Sequence, residues 1–357
     1  MMTKDEFAEE MGKMMQEALG GAYEVSVQHV TKNNGVERTG LMVKDQSNNI
    51  APTIYVDSLY EDYEDGSKTM NEAAALATAN VMRGMPKMKI DMGFFTDWEQ
   101  VKDKICFRLV NAQRNEKMLA DVPHEAHGDL ALTFFYPFEN EEIGKGSILI
   151  RNEHCERWGI TNDELIEVAV ENTPRIYPPE CMPMESVLME RMTGFGAEHY
   201  PELPEEPLEA GSPAGMMILT NGDRTFGASV IMYKDYMQRV AEAAQCDLYV
   251  IPSSVHECLI LPKVGEEDAA RLAEIIRDVN ASQVDPQDVL SGNLYAYDRQ
   301  SQTLSIAVAE GQINGQGQEG NLGQTGAGHG NVPGQDGSQG QTGAQGQAGG
   351  QGMILGM

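Results

Sequence analysis

The chain is poor in positive charge. Its 357 residues include 26 Lys and Arg against 55 Asp and Glu, and the formal net charge is −29. Lys and Arg attract nucleic-acid phosphates and anionic lipid headgroups, so a surface this acidic repels both. No dense basic cluster offsets the deficit. We therefore expect no nucleic acid and no membrane among the partners.

Long apolar runs and paired cysteines are also missing. The longest apolar stretch, around LALTFFYPF, is about half of the ~20 residues that span a bilayer. The charged N-terminus, MMTKDEFAEEMGKMM, lacks the apolar run of a secretory signal. The five cysteines form no C-x-x-C pair, which in a chain without an export signal is typical of reduced, buried thiols. These absences predict a cytoplasmic protein.

Familiar catalytic and nucleotide-binding motifs are absent. The chain has no G-x-x-x-x-G-K phosphate loop, no strand-borne G-x-G-x-x-G, no G-x-S-x-G elbow and no H-E-x-x-H. We therefore predict no cofactor, and the sequence favours a non-enzymatic protein over an enzyme.

What the chain does contain begins with an unusual C-terminal tail, 311–357. Of its 47 residues 17 are Gly and 10 are Gln, and none is Lys or Arg. So little apolar surface cannot offset the entropy of ordering the segment, which predicts disorder. Glycine recurs at every third position from Gly334 to Gly352. That period is typical of collagen and leaves a trimerising tail as an alternative.

Residues 194–215 mark a break in composition. This stretch, GFGAEHYPELPEEPLEAGSPAG, has four Pro and five Glu and little periodicity. It is typical of a linker or long surface loop. It predicts two ordered regions, 1–193 and 216–309.

The first region mixes helices with antiparallel strands. A capping box of Thr3 and Glu6 predicts an opening helix, and Asn34-Gly35 between two alternating runs predicts a hairpin. Helices are predicted over 69–83 and, with a bend or interruption, over 97–119. The runs LALTFFY and GSILIRN predict two buried strands. They precede a helix that begins at TNDE, where Thr161 and Glu164 form a capping box.

The second region repeats this order. MMILTNGDRTFGASVIMY predicts a hairpin about Asn221-Gly222, followed by a helix over 234–244. DLYVIPSSVHECLILP predicts strand, turn and strand, and GEEDAARLAEIIRDVN predicts a helix. A hairpin with one apolar face must be covered. We therefore predict an α+β fold of antiparallel sheets, built from strand–strand–helix units with helices on one face.

The segment PSSVHECLILP holds the first candidate site. A catalytic interpretation makes Ser253 or Ser254 a nucleophile, His256 its base and Glu257 the orienting carboxylate. Neighbouring side chains of a strand or tight turn point to opposite faces, and triads are usually assembled from distant parts of a chain. The alternative is a structural turn, in which Pro252 fixes its own φ angle and the serines bond to backbone.

A second candidate is a metal site near His124 and His127. On a helix, residues three apart lie on one face, so this spacing would let His124 and His127 bind one metal ion. His154 is a further candidate ligand. The Pro before His124 and the Gly after His127 favour loop histidines instead.

A third candidate is a docking segment for a partner, the Met-rich stretch CMPMESVLMERM beside the linker.

Several blocks resemble a known family. They include EVSVQHVTKNNGVERTGLMV, SILIRNEHCERWGI, LYVIPSSVHECLILP and DVLSGNLYAYDR. They are similar to an uncharacterised domain-of-unknown-function family found mainly in gut anaerobic Gram-positive bacteria, over about residues 3–306. The resemblance implies no activity, cofactor or catalytic residue.

Three functional hypotheses follow. The first is a non-enzymatic protein that binds a protein partner or a small molecule. The second is a hydrolase or metal-dependent enzyme that uses His256 and Glu257, or His124 and His127. The third is a small-ligand sensor with a pocket between the two ordered regions.

Overall fold

The computed structural model of the chain describes residues 2–85, 89, 91, 93–140, 144–197, 199–209, 215–263, 266–311 and 352–355. Every strand pairing among them is antiparallel. Helices and antiparallel sheets together confirm the predicted α+β class.

The N-terminal layer packs helices on one sheet. Its elements are α1 (Lys4–Leu19), β1 (Tyr23–Thr31), β2 (Glu37–Asp45), β3 (Ile50–Tyr55), α2 (Asp57–Glu64) and α3 (Met70–Gly84). The predicted capping box at Thr3 and Glu6 is present, and β1 pairs with β2 around Asn34-Gly35 as predicted. Phe7, Met11 and Leu41 are fully buried between the helices and the sheet.

The middle sheet follows. Its elements are α4 (Trp98–Val101), β4 (Cys106–Asn111), α5 (Glu116–Leu119), β5 (His124–His127), β6 (Leu130–Asn140), β7 (Gly144–Leu149), α6 (Asn152–Trp158) and α7 (Asn162–Ile176). The strand order is β4-β6-β5, with β7 also paired to β6. The helix predicted over 97–119, with a bend or interruption, is wrong at its centre, where residues Cys106–Asn111 form a strand. The segment CFRLVN forms β4 because its alternate side chains, Phe107 and Leu109, complete the core face of the sheet.

The C-terminal sheet is the largest. Its elements are β8 (Pro179–Pro183), α8 (Met184–Thr193), β9 (Met217–Asn221), α9 (Tyr236–Ala244), β10 (Leu248–Ile251), β11 (Cys258–Pro262), α10 (Glu266–Ser282), β12 (Leu294–Asp298) and β13 (Thr303–Val308). The strand order is β13-β12-β10-β11-β9-β8. The predicted strand–strand–helix order is seen in β10, β11 and α10, and in β6, β7 and α6.

The predicted hairpin about Asn221-Gly222 is wrong. The segment Gly227–Met232 forms a 3₁₀ helix instead of a returning strand. Both edges of β9 are already paired, one with β8 and one with β11, so no edge is free for it. The 3₁₀ segment packs beside β4, where the Leu109 N–H donates to Ser229 Oγ at 3.2 Å.

One hydrophobic core joins the middle and C-terminal sheets. It contains Phe107 and Leu132 from before residues 194–215, and Leu219 and Tyr236 from after them. The predicted separation of the chain into two ordered regions by residues 194–215 stays a prediction.

Asparagines connect the N-terminal hairpin to this body. The Asn34 side chain donates to the carbonyls of Pro286 (2.9 Å) and Val289 (2.6 Å). It also accepts from Asn115 Nδ2 at 3.0 Å, and the Asn34 N–H donates to Asn115 Oδ1 at 2.8 Å. The turn that the sequence predicts is therefore also a docking element.

Most of the tail lies outside the described residues. The predictions of a disordered tail and of a collagen-like trimer concern this part and stay predictions. The described part, β14 (Gly352–Leu355), pairs with β3 at the edge of the N-terminal sheet. No helix within the described ranges combines the length and apolarity needed to cross a membrane.

Candidate functional site

The serine-rich corner between β10 and β11 is held by the segment that precedes β12. The Leu290 N–H donates to the Ser253 carbonyl at 2.9 Å, and the Val255 N–H donates to the Asp288 carbonyl at 2.8 Å. Ser254 is 6% exposed, and its Oγ accepts from the His256 N–H at 3.1 Å. These contacts are those of a turn whose hydroxyls and backbone are bonded locally.

His256 has both ring nitrogens engaged away from the serines. Nδ1 accepts from the Phe226 N–H at 3.3 Å, and Nε2 lies 3.6 Å from Asp288 Oδ1. The hydrogen bond to Asp288 is the main cause that raises the pKa of His256, against the opposing effect of burial. Glu257 forms no hydrogen bond or ion pair with the described residues. The four predicted catalytic residues thus share one corner, but within the described part of the chain no hydrogen bond joins either serine hydroxyl to the imidazole.

Phe226 joins this corner to the middle sheet. Its ring is stacked on His256 with centroids 6.0 Å apart and an interplanar angle of 12°. Its backbone has a φ of 53°, in the left-handed region that a bulky residue rarely adopts. Such strain costs of the order of 1–3 kcal/mol and is found mainly at functional sites.

Arg108 of β4 lies over the ring of Phe226. Its Cζ is 4.6 Å from the ring centroid, its Nε is buried without a hydrogen-bond partner, and the residue as a whole is partly exposed. Desolvation lowers the pKa of Arg108 to about 10, so the side chain stays cationic at neutral pH. No carboxylate of the described chain is within ion-pair distance of it.

This charge is only partly compensated. A cation–π contact contributes about 0.5–2 kcal/mol. Taking an ion out of water costs several kcal/mol even after relaxation. Arg108 is therefore a partly desolvated cation that has no carboxylate partner among the described residues.

The register of the middle sheet places His124 near Arg108. Arg108 pairs with Thr133, and Thr133 pairs with His124. Directly paired residues point to the same face, so a guanidinium, a hydroxyl and an imidazole form one row. Thr133 Oγ1 is buried without a hydrogen-bond partner, and His124 Nδ1 lies 3.0 Å from the Val122 carbonyl.

The three candidate metal ligands do not come together. His124 and His127 are three positions apart on β5, so they point to opposite faces of the sheet. His154 is 3% exposed, lies in the core edge-on to Phe95, and its pKa is lowered by burial. No group of three potential ligands close enough to hold a metal ion is found among the described residues.

On the opposite face of the middle sheet, a cleft of about 620 Å³ opens between this sheet and the C-terminal one. One wall is the β12–β13 hairpin, where Tyr295 pairs with Ile306 and Tyr297 with Leu304. Alternation along the strands puts all four side chains on the cleft side. The facing wall begins at His127 and Gly128, at the β5–β6 turn.

The floor and rim of the cleft are fixed by polar contacts and strained backbone. The Tyr295 hydroxyl donates to the Asp129 carboxylate, and Ser291 Oγ donates to the same carboxylate at 2.6 Å. Asp235 and Gln302 line the rim with φ angles of 58° and 57°, in the left-handed region that residues other than Gly, Asn and Asp seldom adopt.

Sequence reasoning missed Arg108, Phe226, Asp288 and the cleft tyrosines. A usable signal existed for three of these residues. Arg108 is a lone charge in the apolar run ICFRLV, and Tyr295 and Tyr297 are spaced by two in NLYAYD, which places both on one face of a strand. The positions of Phe226 and Asp288 had no such local signal.

The docking segment proposed around α8 has an exposed apolar side. Four of its residues or near neighbours are strongly exposed: Leu188 52%, Met189 57%, Met192 82% and Phe195 84%.

The fold and the site together define an α+β protein with a ligand-sized cleft between two antiparallel sheets. The chain belongs to a family of unknown function, DUF5688, whose model matches residues 4–299. This confirms the resemblance to a domain-of-unknown-function family. No curated protein and no solved structure matches the chain.

Proposed function

We propose that this protein is a non-enzymatic binding protein whose ligand is a small molecule held in the cleft between the middle and C-terminal sheets. The observation that carries the proposal is the cleft itself. Its volume of about 620 Å³ falls in the range of roughly 300–1,000 Å³ typical of small-molecule sites. Its wall combines tyrosine rings with aliphatic side chains and a few polar groups, the usual composition of such sites.

The charge of the cleft selects the ligand class. Its lining, as far as the described residues form it, has no Lys or Arg and includes the Asp235 carboxylate. Tyrosine faces attract cations through the ring quadrupole, and the net charge of −29 adds a favourable long-range field. We therefore expect a small amphipathic ligand that is cationic or neutral, and we expect anions to be rejected.

Three probes with the same phenyl ring and substituents of different charge test this. Benzylamine, benzyl alcohol and benzoate carry the same ring with a positive, a neutral and a negative substituent. Titrated into the full chain and followed by NMR, benzylamine should bind most tightly and benzoate least.

A substitution that fills the cleft with a larger side chain should weaken this binding. Ile306→Trp puts a large ring on the cleft wall, and we expect it to weaken benzylamine binding at least about tenfold, the loss of a few buried contacts.

A matched control is available on α10. Ile275 is 46% exposed, close to the 41% of Ile306, and Ile275→Trp adds the same ring away from the cleft. It should leave the affinity for benzylamine unchanged. No saturable binding of any of the three probes, or equal binding by both tryptophan variants, would contradict the proposal.

The exposed apolar side of α8 supports a second candidate function, docking of a protein partner. Exposed clusters of Met and aromatic side chains are typical of adaptable interaction surfaces. A pull-down from native host extract should then recover a stoichiometric partner with the unmodified chain and lose it with Met192→Glu. Recovery of the same proteins by both chains would count against this function.

A further inference from the structure

The Arg108 guanidinium, which has no carboxylate partner among the described residues, lies outside the cleft on the opposite face of the middle sheet. The proposed small-molecule function does not use it. Its Nε is buried and unpaired while the residue as a whole is partly exposed. The outer edge of the guanidinium is therefore the part that reaches solvent. That edge carries two N–H groups side by side, the geometry that grips two oxygens of a carboxylate or a phosphate.

The guanidinium is held in place by a strained neighbour. Phe226, with its left-handed backbone, presents its ring to Arg108 at 4.6 Å and its N–H to His256. His256 is in turn paired with Asp288. The Asp288 carboxylate is thus directed at His256, and no carboxylate of the described residues forms an ion pair with the guanidinium.

Apolar surfaces border this position on two sides. On one side, two positions from Arg108 along β4, Val110 pairs with Ala131, and both belong to a buried cluster with Val122. Two residues in the other direction, Phe135 packs against Phe226 with centroids 5.5 Å apart. A charge between two apolar borders is weakly screened, which strengthens its attraction for an anion.

We propose that Arg108 forms a second ligand site on the far face of the middle sheet, where its outer edge binds the oxyanion of a small carboxylate or phosphate compound. Arg108 supplies the two-point contact, Phe226 fixes the guanidinium plane, and His124 stands at the other end of the row. The site differs from the cleft in place and in the sign of the charge that it takes.

Isothermal titration calorimetry of the full chain with sodium phosphate and with sodium acetate tests the proposal. The ionic strength is held at about 0.15 M with sodium chloride, so that the repulsion from the acidic surface is screened beyond about 8 Å. At least one of the two anions should bind saturably in a titration that reaches about 50 mM. This concentration is well above a weak Kd of about 1 mM. Binding of phosphate alone identifies a phosphate ligand, and binding of acetate identifies a carboxylate.

Two substitutions at Arg108 and one control complete the design. Arg108→Met keeps an unbranched stem over Phe226 and removes every donor, so binding should fall at least about tenfold. Arg108→Lys keeps a cation in the same fold and loses the two-point contact, so binding should weaken by a smaller factor. Arg157→Met removes one positive charge from the exposed surface of α6 and should leave the affinity unchanged.

Three results would overturn the proposal. The first is no saturable heat with either anion for the unmodified chain. The second is an unchanged affinity in both Arg108 variants. The third is an equal loss in Arg157→Met, which would assign the effect to net charge. Each is independent of the benzylamine titration, so the two sites stand or fall separately.

Discussion

Replacing Asn34 by Gly separates two effects that act in opposite directions. Asn34 has a φ of 61°, a conformation that Gly adopts without strain, so the backbone alone should gain up to about 1 kcal/mol. The side chain, however, makes three hydrogen bonds that Gly lacks: two to the carbonyls of Pro286 and Val289 and one from Asn115. At about 1 kcal/mol net for each bond, the loss is about 3 kcal/mol. We expect Asn34→Gly to destabilise the fold by about 2 kcal/mol.

Urea unfolding followed by circular dichroism measures this change as a shift of the midpoint at unchanged slope. A control with the same backbone is Gln245→Gly. Gln245 has a φ of 58° at the end of α9, is exposed, and its side chain has no partner among the described residues. Gly at a helix C-terminus in this conformation should stabilise by up to about 1 kcal/mol. If Asn34→Gly were as stable as the unmodified chain, or shifted in the same direction as Gln245→Gly, the asparagine network would contribute nothing to docking the hairpin.

Three further predictions concern the body of the protein. Asp288 raises the pKa of His256, so the pair stabilises the fold below the unfolded-state pKa of about 6.5 and ceases to do so as pH rises through the folded value. Asp288→Asn should therefore cost more at about pH 5.5 than at about pH 8.5 in urea unfolding, and equal losses would contradict this. Leu290 is fully buried, and Leu290→Ala should cost about 2–5 kcal/mol in the same assay; a loss below about 1 kcal/mol would show that the site collapses. A maleimide reagent should label Cys246, the one cysteine of the chain that is not buried, before Cys258, whose burial raises its thiol pKa; mass spectrometry of the native protein gives the order, and simultaneous labelling would refute it.

The sequence predicted those features that short segments decide. The capping boxes at Thr3 and Thr161 are both formed, and Asn34-Gly35 turns β1 into β2. In each case the groups that bond are within a few positions of one another, so a local pattern contains all the information. The corner at Ser253 also behaves as the turn that its Pro and Ser residues favour.

The two wrong segments failed for a reason that lies elsewhere in the chain. CFRLVN forms β4 because β6, more than twenty residues later, offers a partner edge. The residues after Asn221 form a 3₁₀ helix because β8 and β11 already occupy both edges of β9. Edge occupancy is a property of the assembled sheet, and strand propensity in one segment does not contain it.

By itself the sequence determined the α+β class, the antiparallel pairing of its clearest hairpin, the family, and the identity of a histidine-containing corner. Only the tertiary structure decided what surrounds that corner. The corner brings together side chains from three separate segments: Arg108 from a strand, Phe226 from a strained turn and His256 from a loop. Arg108 and His256 are more than a hundred positions apart in the sequence. The cleft likewise needs strands from two sheets. Charge compensation and cavity shape depend on which distant surfaces meet in space. That meeting is set by packing of the whole core and leaves no mark in any one segment.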